Sequence, residues 1–285
     1  MPRGISLHVG INQPSSAFPN AAKLKGCEND AREMERIAVA KGFEQHDLLL
    51  GCDATYARVT AKIRAAAAQL EADDIFLFTF SGHGFQETDI ADPEDPQDED
   101  DRLDESLLLF DVELLDDVLR KELWPLFRAG VRVLMIADSC HSGSVFQILG
   151  DTEDISANDA LSDDFPVATP ASSVIRAIST STGRQHRAEY GEFYRSLWLP
   201  ILSPPINARL LLLAACEDFE TTADGDPNGV YTAALLKVLR NSDPVDYDDL
   251  VTRIRAELPH QTPSIAVAGQ DDSGVFKKQK PFTIN

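Results

Sequence analysis

Cysteine is scarce in this chain: four residues in 285, at positions 27, 52, 140 and 216. So few, so widely spaced, build no disulfide framework and fit a reducing compartment. The sequence contains no CxxC pair, no HExxH and no Walker loop, so the common metal-hydrolase and nucleotide signatures have no support. No apolar run approaches the roughly 18 residues that a membrane span needs. The opening MPRGISLHVGI alternates like a strand and lacks the form of a signal peptide. These absences lead to the expectation of a cytoplasmic chain with no membrane partner. Positive charge is also short: 26 Lys and Arg face 47 Asp and Glu, a net charge of −21. The deficit is local. Residues 87–117 hold fifteen acids and one base, Arg102, and residues 151–164 hold six acids and no base. No general basic face exists for nucleic acid, whereas a cationic peptide or a divalent metal fits the charge.

What is present is ordinary for a folded chain, with 43% hydrophobic and 26% charged residues. At about 100–200 residues per domain, the length allows one large domain or two small ones. Strand-like apolar runs are expected at 5–10, 46–50, 74–80, 131–137 and 209–215, the third and fourth reading DIFLFTF and VRVLMIA. Their unbroken apolar character is that of strands buried on both faces. Helical spacing is expected at 30–40, 55–70, 111–127, where Pro125 interrupts the end, and 230–239. Strands alternating with helices predict an α/β fold with a mostly parallel sheet. Residues 84–104 and 150–173 read as acidic, proline-containing loops, and 174–208 has no assignable pattern.

In such folds reactive groups sit just beyond the C-terminal ends of strands. DIFLFTF runs into Ser81-Gly82-His83-Gly84, and VRVLMIA runs into Asp138-Ser139-Cys140-His141-Ser142-Gly143. If the two strands are neighbours, the Cys140 thiol and the His83 imidazole share one rim, an arrangement for nucleophilic catalysis. The thiolate is the reactive species, and an imidazole can take its proton and return it to a leaving amine. The N–H groups of Gly84 and Cys140 are candidate oxyanion donors, each worth roughly 3–4 kcal/mol. Taken singly, a His between glycines is usually a turn residue and a Cys after a buried strand is usually core. Their joint occurrence at two strand ends is what raises the catalytic reading. His141 is the rival base, disfavoured because a sequence neighbour of the thiol usually points elsewhere. Cys52 and Cys216 read as packed structural cysteines.

These motifs resemble the caspase-like cysteine peptidases, specifically the metacaspase and bacterial orthocaspase branch. SGHG and DSCHSG carry the resemblance, together with LKGCENDA (24–31), LLLLAACEDFETTADGDPNGVYTAALL (210–236) and HQTPSIAVAG (260–269). It runs through nearly the whole chain in order. The resemblance implies one caspase-like α/β/α sandwich around a mostly parallel sheet of six to eight strands. Residues 1–149 would be large-subunit-like, 150–208 a linker or insertion, and 209–285 small-subunit-like. It implies hydrolysis after Arg or Lys by a Cys140–His83 dyad, with Cys27, Asp30, Ser81 and Asp138 forming the pocket for the basic side chain. Two carboxylates match a guanidinium fork. The bland alternative is that Asp30 caps a helix and Asp138 is a structural acceptor.

Many relatives of this kind bind calcium through carboxylates, and Asp104, Asp116 and Asp117 fall at matching positions. A further expected Asp corresponds to Gln147, which removes one charged ligand. Calcium stimulation and a merely solvated acidic loop both stay open, and no cofactor is required by the reading. Self-cleavage in the unassigned region is also implied, with Arg176, Arg184, Arg187 and Arg195 as compatible sites and none preferred. With a first strand near residue 5, no prodomain is expected ahead of the domain, and the chain is read as a monomer. The rival to an Arg/Lys-directed endopeptidase is a catalytically silent caspase-like scaffold that binds a basic peptide or partner.

Overall fold

Five of the predicted apolar runs become the parallel strands of one sheet in the structure, a computed structural model. It describes residues 1–88, 103–140, 174–178, 180–197, 204–216, 221–270 and 274–284. In chain order the elements are β1 (Gly4–Gly10), α1 (Cys27–Ala40), β2 (Gln45–Leu50), α2 (Tyr56–Gln69), β3 (Ile75–Ser81), β4 (Gly84–Thr88), β5 (Leu103–Leu108) and β6 (Glu113–Leu115). They continue through α3 (Asp116–Val118), β7 (Arg132–Asp138), α4 (Thr180–Glu189), α5 (Gly191–Ser196), β8 (Arg209–Ala214), α6 (Val230–Asn241), α7 (Tyr247–Glu257) and β9 (Ser264–Gly269). The main sheet has the order β2-β1-β3-β7-β8-β9, parallel except for β9, which runs antiparallel to β8.

Every residue of β1, β3 and β7 is buried, which explains their lack of polar alternation. Aromatic side chains fill one face. Phe76 and Phe78 of β3 pack there with Trp124 and Phe127, alongside Val59, Ile63 and Ala66 of α2. The other face takes Met34 and Ala38 of α1, Tyr231 and Leu235 of α6, and Leu250 and Ile254 of α7. At roughly 1.5–3 kcal/mol for each large apolar side chain buried, these two layers hold the sheet flat between them. Thr55 caps α2 by accepting the Arg58 N–H. The result is the three-layer α/β sandwich expected from the sequence, with six strands.

The stretch 111–127 departs from its predicted helix. Residues Glu113–Leu115 form β6, which pairs antiparallel with β5. α3 then passes into a wide π turn, Leu119–Leu123, and a 3-10 turn, Trp124–Leu126. Pro125 lacks the N–H that an α-helix would need there. Its apolar run fits either period, and the exposed edge of β5 decides for strand. The predicted loop 84–104 is bracketed by β4 and β5, which with β6 make a second, three-stranded antiparallel sheet. Its middle, and the predicted loop 150–173, lie outside the described residues.

The unassigned region is folded against the body. His186 of α4 is buried, stacks on Phe18 at 3.8 Å between ring centroids, and lies 3.6 Å from the Glu113 carboxylate. Tyr194 of α5 accepts the Glu113 backbone N–H. Part of what reads as a linker is therefore a structural layer. Among the described residues no helix is long and apolar enough to cross a membrane.

Candidate active site

β3 and β7 are adjacent and parallel, and their register sets Ser81 directly opposite Asp138. Both chains then leave the sheet at the same level, so His83 and Cys140 emerge at one rim. The close turn demands glycine: a Cβ on Gly84 would lie 1.9 Å from the Cys140 carbonyl oxygen. The Leu108 N–H donates to the His83 carbonyl and ties this turn to β5.

The His83 ring is buried, and its Nε2 lies 2.7 Å from the Ala22 carbonyl oxygen. A carbonyl only accepts, so Nε2 carries the proton and Nδ1 holds the lone pair. Among the described residues the buried Nδ1 makes no hydrogen bond of ordinary geometry. Burial is the largest influence on the His83 pKa and lowers it, which favours the neutral ring. Ala22 thus does the orienting work that a third residue does in a catalytic triad.

The Cys140 thiol accepts the Thr222 N–H at 3.2 Å and lies 3.5 Å from the Thr222 carbonyl. Burial pushes its pKa up to about 12. In this state it is a protonated, shielded thiol. The cause of the shielding is the chain itself. Residues 174–178 run through the rim as an added strand, with Ile175 bridged antiparallel to Ala223 and Ala177 bridged parallel to Gly84. The Arg176 N–H donates to the Thr222 carbonyl at 3.1 Å, and the Asp224 N–H donates to the Val174 carbonyl at 2.8 Å. The Gly84 N–H donates to the Arg176 carbonyl at 2.8 Å. Both the Cys140 thiol and the His83 ring have the Arg176 backbone as a hydrogen-bonding neighbour.

The Arg176 side chain is fully buried in a negative pocket. Its guanidinium lies 2.8 Å from Asp30 Oδ2, 2.9 Å from Asp138 Oδ1 and 3.0 Å from Asp224 Oδ1. It also donates to Ser81 Oγ at 2.8 Å and to the Asp138 carbonyl at 2.9 Å. Burial lowers its pKa, but Asp138, the Cys27 thiol and Asp30 outweigh this and hold it well above the ordinary value. Each acid is fixed from behind. Ser81, Asn228 and the Gly229 N–H donate to Asp30. Thr232 donates both its N–H and its hydroxyl to Asp138. The N–H groups of Lys25 and Gly26 donate to Asp224. Burial still raises the Asp138 pKa, from 3.8 to about 6, with Arg176 opposing. The buried Cys27 thiol, within hydrogen-bonding reach of Ser81, is likewise pushed up to about 12.

All four residues expected to form a basic-side-chain pocket, Cys27, Asp30, Ser81 and Asp138, thus surround one guanidinium. Asp30 is inside α1, bonded to groups of the small-subunit-like part, and is no helix cap. Sequence reasoning missed Asp224, Ala22, Thr222, Thr232 and Gly229. Four of these five lie in or beside ETTADGDPNGVYT, a run of small and turn-forming residues between a strand and a helix. Such a run signals close backbone approach: a Cβ on Gly229 would lie 2.3 Å from Arg176 Nη2.

Of the expected calcium carboxylates, the side chains of Asp116 and Asp117 are described. Asp117 is held by Arg120 and by Lys121, the latter at 3.0 Å. Asp116 is buried, while the Asp104 side chain and Gln147 lie outside the described residues. Among the described residues no group of three or more His, Cys, Asp or Glu is placed to hold a metal.

His8 sits between Ser6 and Thr79 as a satisfied core residue, lowered to about 3 chiefly by burial. Cys216 is buried, as expected, but Cys52 is exposed, contrary to expectation. Cys52 sits in the 3-10 turn Gly51–Asp53, which has no buried residue.

A family model for the caspase domain, peptidase C14, matches residues 3–283. Over 280 residues the chain is 26% identical to Metacaspase-1A of Aspergillus clavatus, an alignment that takes in 89% of this chain and 62% of that protein. The chain therefore spans less than two thirds of that relative's length. The crystal structure of protein GSU0716 from Geobacter sulfurreducens superposes with a TM-score of 0.78 at 33% identity, covering 99% of both chains. The crystal structure of Caspase-1 from Spodoptera frugiperda shares the fold at a TM-score of 0.52 and 14% identity, over 93% of this chain and 86% of that one. With its reactive rim, its negative pocket and its sheet accounted for by one family over almost its full length, this chain belongs to the caspase domain family, peptidase C14.

Proposed function

We propose that the chain is a cysteine endopeptidase that cleaves peptide bonds after Arg or Lys. The observation that supports this best is Arg176, with its guanidinium among Asp30, Asp138 and Asp224 and its carbonyl on the Gly84 N–H. In the proposed mechanism His83 Nδ1 takes the Cys140 proton, and the thiolate attacks the carbonyl carbon of the basic residue. The Gly84 and Cys140 N–H groups stabilise the oxyanion. The protonated His83 gives its proton to the leaving amine, and water then hydrolyses the thioester. Cys27, Asp30, Ser81, Asp138 and Asp224 select the basic side chain. Leaving these buried carboxylates without a cation costs on the order of 3–5 kcal/mol, which corresponds to about two to three orders of magnitude of preference over neutral residues. Arg should outrank Lys, because only the planar fork reaches three acids and Ser81 together.

Self-processing belongs to the same reading, since the unassigned region supplies basic residues to an acidic pocket. Calcium is not required in it: Asp117 already has two cationic partners. Partners are peptides or proteins with Arg or Lys at the cleavage site, with no nucleic acid or membrane. The silent-scaffold reading draws on one observation, that residues 174–178 fill the cleft.

Fluorogenic peptides ending in Arg, Lys and Asp test the proposal, assayed on the wild type and on Cys140→Ala. The expected order is Arg above Lys, no turnover of Asp, and none at all by the alanine variant. Rates should agree within about a factor of two in chelator and in millimolar calcium. Turnover of the Asp peptide alone sinks the pocket assignment. No turnover under any condition favours the scaffold.

A further inference from the structure

The far ends of α1 and α6 carry charge opposite in sign to the pocket where both helices begin. Asp30 lies in the first turn of α1, and Thr232, which holds Asp138, lies in the first turn of α6. Seven residues further on, roughly 10 Å along each axis, the last turns of the two helices frame a cavity of about 270 Å³, closed by Lys280 and Pro281. Its floor is apolar. Ile37 of α1 and Leu239 of α6 pack against the core layer beneath and remain partly uncovered. Around that floor stand four exposed cations, Arg36, Lys41, Arg240 and Lys280, against two acids, Glu33 and Asp243. Each acid is shared: Glu33 by Arg36 and Arg240, and Asp243 by Lys280, with Lys41 acting on it from nearby. The lining therefore has two cations in excess, in a chain whose net charge is −21. The C-terminal ends of both helices add about half a negative charge each, which reduces that excess without reversing it.

Volume and charge together select the occupant. Pockets for drug-sized ligands run to about 300–1,000 Å³, whereas this one suits a single large apolar side chain. An apolar floor recessed between two helices is out of reach of a flat lipid surface. It is within reach of a side chain on an extended segment, whose neighbouring acids then meet the surrounding cations. We propose that this cavity is the docking site for an acidic segment of a partner protein, with one apolar residue seated on Ile37 and Leu239 and flanking acids on Arg36, Lys41, Arg240 and Lys280. The seated side chain supplies most of the affinity, because exposed ion pairs are individually weak and screened by salt. The acids set the encounter rate and the register. The pocket at the rim takes a cation and this site takes an anionic segment at the other end of the same helices, so both can be filled at once. The proposal goes beyond the peptidase reading and does not depend on it.

The test uses the full-length Cys140→Ala chain, so that no probe is cut, and fluorescein-labelled dodecapeptides followed by fluorescence anisotropy. One set is acidic around a central Leu, Ile, Phe or Met. A second set carries Ser at the centre, and a third replaces the acids with Lys. At least one peptide of the first set should bind about tenfold or more tightly than its Ser counterpart. Two variants at exposed positions test the place: Arg240→Glu combined with Lys280→Glu, and Ala40→Trp, which fills the cavity from its edge. Each should weaken the acidic peptides by about tenfold or more and leave binding of the Lys peptides unchanged. The melting temperature of each should stay within about 4 °C of the parent. Vesicles of phosphatidylcholine with one-third phosphatidylserine should not sediment the chain. Equal binding of the Ser peptides overturns the apolar anchor. Unchanged binding in both variants overturns the site. Capture by the vesicles alone, or no binding of any acidic peptide up to about 1 mM, overturns the proposal. Peptide hydrolysis enters none of these measurements, so failure here leaves the peptidase reading standing, and failure of the fluorogenic assay leaves this site standing.

Discussion

Two arginines are buried at opposite ends of the same strand system, and they are held in opposite ways. Arg132 opens β7. Its guanidinium donates to the carbonyl oxygens of Asp73, Thr283 and Ile284 and to the Gln279 amide, at 2.7–2.9 Å. No carboxylate is among those acceptors, and burial lowers its pKa. Arg176 lies where β7 ends, beside Asp138, and meets three carboxylates, of which Asp138 and Asp30 raise its pKa. The Arg132 site clasps the C-terminal segment to the sheet with neutral acceptors, a task in which the cation never leaves. The Arg176 site holds more negative charge than one cation balances. Such a site is costly when closed and empty, but tolerable if water enters as the cation departs. One is a structural fastening; the other, on the proposed function, is a receptor.

The contrast can be broken most sharply at its two ends. With Arg176→Ala as background, so that the cleft is free, Asp138→Asn should lower kcat/KM for an Arg-ending peptide by about 100- to 1000-fold with little change in melting temperature. Arg132→Met should do the reverse. Stranding four buried acceptors should cost on the order of 3 kcal/mol, a fall of about 6–12 °C in Tm, with kcat/KM per folded molecule unchanged. A melting temperature that collapses in Asp138→Asn while Arg132→Met is harmless would invert the assignment.

A smaller effect sharpens the shape of the receptor. A Cβ on Gly229 would fall 2.3 Å from the Arg176 guanidinium. In the same background Gly229→Ala should reduce Arg turnover by about tenfold and Lys turnover less, shrinking the ratio between them. An unchanged ratio, measured on paired peptides, would place the guanidinium elsewhere.

The smallest effect is in pH. Burial raises the Asp138 pKa from 3.8 to about 6, so the folded chain holds that proton more tightly than the unfolded one. Its contribution to stability is then full below 3.8 and is lost as pH rises through about 6. The grip on a cation needs the carboxylate and changes in the opposite sense. In the Arg176→Ala background the opposing guanidinium is gone and the Asp138 pKa moves further up, so kcat/KM for the Arg peptide should rise about three- to tenfold as pH increases past 6, with a melting temperature that falls over the same interval. Burial lowers the His83 pKa from its ordinary value. A pH profile that survives Asp138→Asn would assign the limb to another group.

Much of this was legible beforehand. SGHG and DSC, each ending a continuous apolar strand, located the thiol and the imidazole, because side chains at the C-terminal edge of a parallel sheet have nowhere to go but the rim. The pocket residues Cys27, Asp30, Ser81 and Asp138 were legible through the resemblance. The elements that stayed hidden are those whose form depends on a partner. β6 is a strand because β5 offers an edge, and β9 takes its direction from β8. α4 and α5 are polar enough to read as linker, yet His186 and Tyr194 anchor them to Glu113. Cys52 looked packed from its place after a strand, and the turn exposes it.

By itself the sequence determined the strand run lengths, the polar rim and the excess of negative charge, since these are properties of neighbours along the chain. Only the tertiary structure decided that Asp224, Ala22 and Gly229 complete the site and that Arg176 fills it. Those contacts join residues as far apart as 146 and 199 positions. Their energy comes from three acids and one cation meeting out of water, a condition no local spacing encodes.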